Sequence, residues 1–194
     1  MGVITSCCRN KDVLLVEAAK ENNLPELCKH LEEKADPNYI KRNDPGLLCE
    51  SPLINAIKHN NIQMITTLLR AGADPNQLDV LTTVLLYGDV EILKILLDGR
   101  LDMKRLHSSS LYQCHAAFTA LSRVDMLRLL LDYGLDPNIV DQTNGKSLLH
   151  MAVIRRYSDS VRLLLSKGAD MFRLDNEHKT PMNYAQDNDY FVQV

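Results

Sequence analysis

The sequence predicts an all-α solenoid of stacked helix–turn–helix units joined by extended fingers. Three observations predict it. The string "GADPN" at 72–76 has four relatives: "KADPN" at 34–38, "RLDMK" at 100–104, "GLDPN" at 134–138 and "GADMF" at 168–172. An apolar run of helical pattern precedes each copy, as in "MITTLLRAGADPN" (64–76) and "SVRLLLSKGADMF" (160–172). A shorter apolar segment lies upstream again, as in "SPLINAIKHNN" (51–61) and "SLLHMAVIRR" (147–156). The strings start at 34, 72, 100, 134 and 168, so the intervals are 38, 28, 34 and 34. Repetition near 33 residues fixes an architecture before any local reading does.

Each element of the unit has its own reason. Ser51-Pro52 and Thr180-Pro181 place a capping side chain just before a proline at the first helical position. In the fifth unit Leu148, Leu149, Ala152 and Val153 share one face of the first helix. Val161, Leu163, Leu164 and Leu165 cover most of the second. One such pair cannot bury both faces alone, so its neighbours must stack against it. Gly72, Gly134 and Gly168 follow the last helical turn, where a left-handed residue closes a helix at least steric cost. Pro37, Pro75 and Pro137 lie just beyond and forbid continuation. The Asp and Asn of each string are placed to bond nearby backbone N–H groups. The strings are therefore punctuation. Asp36, Asp74, Asp102, Asp136 and Asp170 recur once per unit, as architecture does and a catalytic group does not.

This pattern resembles the ankyrin repeat, whose hallmarks are Thr-Pro-Leu-His-x-Ala, a Leu-rich helix and Gly-Ala-Asp. "SPLINA", "SLLHMA" and "TPMNYA" carry the first hallmark; "GADPN" and "LLLSKGAD" carry the last two. The resemblance covers about 12–194, in six units: 12–44, 45–77, 78–107, 108–141, 142–175 and a partial 176–194. Residues 1–11 are expected to form a flexible lead-in. The resemblance implies β-hairpin or loop fingers, and it implies that His150 bonds to loop backbone. Departures cluster in the middle. The stretch 39–50 is about five residues long for a finger, and 77–89 is about five short. The third unit has Arg100 where others place Gly or Lys, with Gly99 one position early. These irregularities fit either degeneration of the repeat or a finger pattern shaped for one partner.

Composition narrows the function. The chain has 194 residues, 45% hydrophobic and 24% charged, with net charge −3. An acidic balance argues against nucleic acid as partner. No apolar stretch approaches a membrane span, and no secretory signal is visible, which leads to a cytoplasmic expectation. Five cysteines without regular spacing do not suggest a disulfide framework. The histidines are scattered among units, no phosphate loop or nucleophile elbow is present, and nothing converges as an active site must. The expectation is a non-enzymatic scaffold or adaptor, monomeric and without cofactor or metal, that binds another protein. The resemblance also implies an alternative, the substrate-recognition subunit of a ubiquitin ligase of the SOCS or F-box type, which would need a C-terminal box; the chain ends inside a repeat, at "QDNDYFVQV".

The partner surface follows from the resemblance. Fingers and the outer side of the first helices line the concave face of such a stack. That implies Tyr39, Lys41, Arg42, Asn55, Lys58, His59, Tyr87, Lys104, Arg105, Ile139, Met151, Ile154, Arg155, Phe172, Arg173 and Tyr184 as protein-binding candidates, since aromatic and Arg side chains anchor interfaces. A separate signal opens the chain. "MGVITSCC" matches M-G-x-x-x-[ST], making Gly2 a candidate myristoylation site, and Cys7 and Cys8 supply adjacent palmitoylation positions. Two acyl chains hold a protein at a membrane where one does not. The expected location of the tethered form is the cytoplasmic face of a membrane.

Overall fold

The computed structural model describes residues 10–41, 50–77, 79–99, 101 and 117–187. Its described secondary structure is helical. The chain forms two compact blocks, Met1–Leu101 and Asp102–Val194.

The N-terminal block holds three helix pairs: α1 (Lys11–Lys20) and α2 (Leu24–Glu32), α3 (Pro52–Lys58) and α4 (Ile62–Arg70), α5 (Val80–Tyr87) and α6 (Val90–Asp98). Most starts are capped as their sequences require. Ser51 Oγ accepts from the Ile54 N–H at 3.2 Å with Pro52 at the first position, and Asn61 and Asp89 accept from Met64 and Ile92. Within the block α1 packs on α2 and α3, α3 on α4 and α5, and α5 on α6. The core is the expected aliphatic one: Leu27, Leu53, Ile57, Ile65, Leu68, Leu93 and Leu96 are all at 0% exposure. Burying such a side chain contributes roughly 1.5–3 kcal/mol, so the stacked faces dominate stability.

The C-terminal block contains helical residues 117–120, then α7 (Val124–Asp132), α8 (Leu148–Ile154), α9 (Ser158–Ser166) and α10 (Pro181–Asp187). Helix α8 packs on α9 and α10, and α7 on α9. The pairing repeats the N-terminal pattern.

The helix stops behave as read. Gly72, Gly134 and Gly168 have φ of 98°, 97° and 85°. Lys34 stands in the first repeat where those glycines stand in others, and it adopts φ 62°. Each following Asp accepts from the backbone N–H two residues on: Asp36 from Asn38, Asp74 from Asn76, Asp136 from Asn138 and Asp170 from Phe172.

The asparagines do more than the local role expected of them. Asn38 Nδ2 donates to the Gly72 carbonyl at 2.9 Å, and its Oδ1 accepts from the Asp74 N–H at 2.7 Å. Asn138 does the same with Gly168 and Asp170, at 3.2 and 2.8 Å. Each therefore staples its repeat to the turn of the next.

The fingers are slighter than β-hairpins. Among the described residues they pair through single antiparallel bridges, Lys41 with Glu50 and Val140 with Ser147. The short stretch before α5 is closed by Asp79 in a left-handed conformation, φ 69°, with no side-chain cap. Helix α6 ends at Gly99 with φ −88°, so the third repeat lacks the glycine stop of its neighbours there.

Candidate functional site

Two first helices of the N-terminal block carry the most exposed candidate surface there. His59 and Tyr87 each lie two residues before the N-cap of the second helix in their pair, Asn61 and Asp89. Since α3 packs on α5, equivalent positions sit on neighbouring helices. Lys58 and His59 are exposed. Leu86 and Tyr87 are 55% and 56% exposed. His59 is anchored from below, its Nε2 2.8 Å from the Lys20 carbonyl. Further bonds brace successive repeats: Asn61 to Asn22 at 2.8 Å and Asn60 to Asp89 at 3.1 Å. The exposed step thus rests on a cross-tied support.

The other N-terminal candidates are more engaged. Tyr39 is half-buried and Lys41 lies 3.5 Å from Glu17. Asn55 corrects the expectation. It is 4% exposed, not a surface group, and its buried Nδ2 has no hydrogen-bond partner. Leu86 is the residue that sequence reasoning missed on this face; its signal was an apolar side chain at the position held by Lys20 and Lys58 in the preceding repeats.

In the C-terminal block Phe172 is 76% exposed, Arg155 and Arg173 are exposed, and Ile139, Met151 and Ile154 are half-buried. Phe172 occupies the position from which Asn38 and Asn138 staple forward. Tyr184 belongs to a structural cluster instead. Its hydroxyl donates to Asp175 Oδ2 at 2.7 Å. Lys146 Nζ reaches the same oxygen at 2.9 Å and Glu177 at 3.0 Å. Asp175 Oδ1 accepts from the backbone N–H groups of Glu177 and Lys179 at 2.8 and 3.0 Å. The ammonium groups of Lys146 and Lys179 lie 5.0 and 5.2 Å from the Tyr184 ring centroid.

The titration behaviour follows from this crowding. Burial alone would push the Asp175 carboxyl up, but Lys146, Tyr184 and the two N–H groups hold it well below the carboxylate range. Lys146 is held above its ordinary range by Tyr184 first, then Asp175 and Glu177. Burial, together with the bond to Asp175, raises the Tyr184 phenol.

His150 is where the repeat pattern implied. Its Nδ1 faces Ser147, accepting from the backbone N–H at 3.1 Å and lying 2.8 Å from Oγ, and its Nε2 lies 3.0 Å from the Lys179 carbonyl. Burial lowers its pKa against the opposing pull of that carbonyl and Asp175. The neutral ring with its proton on Nε2 satisfies both partners. Asp175 accepts from Tyr184, Lys146 and the Glu177 and Lys179 N–H groups and its side chain is fully buried, so the cluster ties the finger before α8 to the finger before α10 and to α10. Lys146 and Asp175 went unnoticed in the sequence, where only their separation of about one repeat marks them.

Gly2, Cys7, Cys8, Arg42, Lys104 and Arg105 lie outside the described residues. Among the described residues no group of three His, Cys, Asp or Glu could hold a metal ion, and no helix is long and apolar enough to cross a membrane.

Comparison with known proteins accords with this geometry. A family model described as "Ankyrin repeats (3 copies)" matches residues 15–108 and 113–193. The chain is 30% identical over 183 residues to the mitochondrial disaggregase of Homo sapiens, covering 93% of this chain and 25% of that protein. It is 33% identical over 174 residues to the nuclear factor NF-kappa-B p105 subunit of Gallus gallus, covering 82% of this chain and 17% of that protein. The chain thus spans a quarter or less of the length of these relatives. Among solved structures it resembles the ankyrin repeat protein EF0377, with TM-score 0.75, 27% identity and coverage of 91% and 92%. It likewise resembles an ankyrin repeat domain from Acinetobacter baumannii AYE, with TM-score 0.74, 27% identity and 91% of each chain covered.

Proposed function

Because this chain belongs to the ankyrin-repeat family, we propose that it is a non-enzymatic scaffold that binds a partner protein through the ends of its first helices and its fingers. The observation that carries the reading is the exposed Leu86–Tyr87 step beside Lys58 and His59. Large apolar side chains on a cross-tied support present contact area at little ordering cost. An aromatic flanked by a cation and an imidazole is the composition of an interface anchor. Phe172 and Arg173 supply a second anchor of the same kind in the C-terminal block. Quantitative affinity purification with mass spectrometry tests this. A partner retained by the wild type should be lost from Tyr87→Asp. Retention of every wild-type partner by Tyr87→Asp and Phe172→Asp sinks the reading.

We infer a second property from the N-terminus. Gly2 with Ser6 supports myristoylation, and Cys7 and Cys8 support palmitoylation beside it. Dual acylation places the scaffold at the cytoplasmic face of a membrane, where one chain alone binds only marginally. Intact-mass analysis of the protein from cells reads both groups. An unmodified Gly2 with free Cys7 and Cys8 removes the tether and leaves the scaffold reading untouched.

A further inference from the structure

The second helices of the C-terminal block carry a feature that the first-helix surface does not use. Between α7 and α9 runs an open groove of about 370 Å³ lined by Val124, Arg128, Asp159, Arg162, Leu163 and Ser166. Arg128 and Arg162 are each the fifth residue of a nine-residue helix, so they occupy the same register in successive repeats. Both are exposed.

The groove is held at both ends. Near the start of α9, the Ser160 hydroxyl donates to the Leu121 carbonyl at 2.7 Å, a buried bond to the turn before α7. Just past its end, Lys167 pairs with Asp132 at 2.6 Å. Between these braces the cations are lightly engaged. Arg162 meets Asp159 only at 4.0 Å, with both side chains well exposed at 64% and 77%. Such a pair is worth little and leaves most of the guanidinium donors open. Arg128 has no ion pair among the described residues; Asp125, on its own helix, is the acid nearest in sequence. Val124 and Leu163 give the groove apolar lining.

We propose that this groove binds an extended acidic peptide segment of a partner protein, with one carboxylate on Arg128 and a second on Arg162. The spacing selects the ligand. Packed helices lie roughly 8–10 Å apart; an extended chain in the polyproline II conformation rises roughly 3.1 Å per residue and returns to the same face every third residue. Two carboxylates three residues apart therefore span the two arginines, whereas adjacent ones do not. Guanidinium is suited to the task because its planar fork takes a carboxylate bidentately. The surface lies on second helices and does not depend on the first-helix reading above.

Fluorescein-labelled peptides carrying Glu-Ser-Ser-Glu, Glu-Glu or Gln-Ser-Ser-Gln between Gly-Ser flanks, titrated into the full chain, test the proposal by anisotropy. The Glu-Ser-Ser-Glu peptide binds tightest, and its binding weakens with salt. In Arg128→Gln/Arg162→Gln, changes at exposed positions that leave the thermal midpoint in place, it weakens about tenfold, the scale of two exposed ion pairs. Amide shifts on binding fall in 124–132 and 158–166. Equal binding of the Gln peptide, indifference to the double substitution, shifts elsewhere, or no binding at millimolar peptide overturns it. Tighter binding of an oligothymidylate than of any peptide also overturns it, since the groove would then be a general polyanion surface.

Discussion

Replacing Lys146 by Met should loosen the finger before α10, which carries the buried Asp175 carboxylate, from the finger before α8. Lys146 is 13% exposed and Asp175 0% at the side chain, with 2.9 Å between them. Removing one partner of such a pair typically costs about 3–5 kcal/mol, because the other charge stays buried alone. Asp175 keeps three donors, the Tyr184 hydroxyl and the N–H groups of Glu177 and Lys179. That places the expected cost at the low end, about 3 kcal/mol. Hydrogen exchange of residues 171–187 reads it as roughly hundredfold faster local opening. The exposed Lys167–Asp132 pair, with side chains 38% and 46% exposed, is the control. Lys167→Met should cost under about 1 kcal/mol.

The pH dependence supplies an independent check. A carboxyl depressed in the folded state adds stability above its unfolded pKa and loses it as pH falls through the folded value. Asp175 is depressed from 3.8, so the wild type keeps this contribution throughout the neutral range and down to about pH 4. Without Lys146 the largest of the interactions that hold the carboxyl down is gone, so its folded-state pKa rises. The variant then carries a penalty at pH 7 that protonation relieves. The stability gap between the two proteins should therefore shrink as pH falls through the variant's raised folded value toward that of the wild type. A gap below about 1 kcal/mol, or one independent of pH, would refute the assignment of Asp175 as a cation-dependent clamp.

Three further outcomes follow from the same geometry. Asn138→Ala removes both staple bonds to the next turn and should lower stability by about 1–2 kcal/mol in urea denaturation, whereas Phe172→Ala, at 76% exposure, should change it by under about 0.5 kcal/mol. Gly145→Ala should cost about 1–3 kcal/mol in thermal unfolding, since φ is 71° and the new Cβ would press against Asn176 Oδ1. Leu164→Ala, at 0% exposure, should cost about 2–5 kcal/mol by the same measurement.

The repeat architecture was legible because its signals are local. A glycine that must be left-handed, a proline that cannot continue a helix and a Ser-Pro start each act within a few residues, and several copies agree in phase. What escaped the sequence acts across repeats. Asn38 reads as a turn residue, yet its amide bonds a turn 34 residues away, at Gly72. Lys146 reads as a surface lysine until Asp175 is folded beneath it. Tyr184 reads as an exposed aromatic, but its hydroxyl is held by that carboxylate. Asn55 fails for the complementary reason. Periodicity placed it at a position where Met151 is half-buried, but the sequence does not report the local cover that takes it to 4% exposure. The exposed step Leu86–Tyr87 is half legible: the resemblance to the repeat points to Tyr87, whereas nothing in the apolar run around Leu86 marks that residue as exposed.

A photocrosslinking residue placed at position 87 or 94 tests the central claim most directly. Tyr87 ends a first helix and is 56% exposed; Lys94 is exposed on the second helix α6. In cells, irradiation should give a discrete partner adduct from position 87 and none, or a much weaker one, from position 94. An adduct from 94 with none from 87 would contradict the assignment of the first-helix ends as the partner-binding surface.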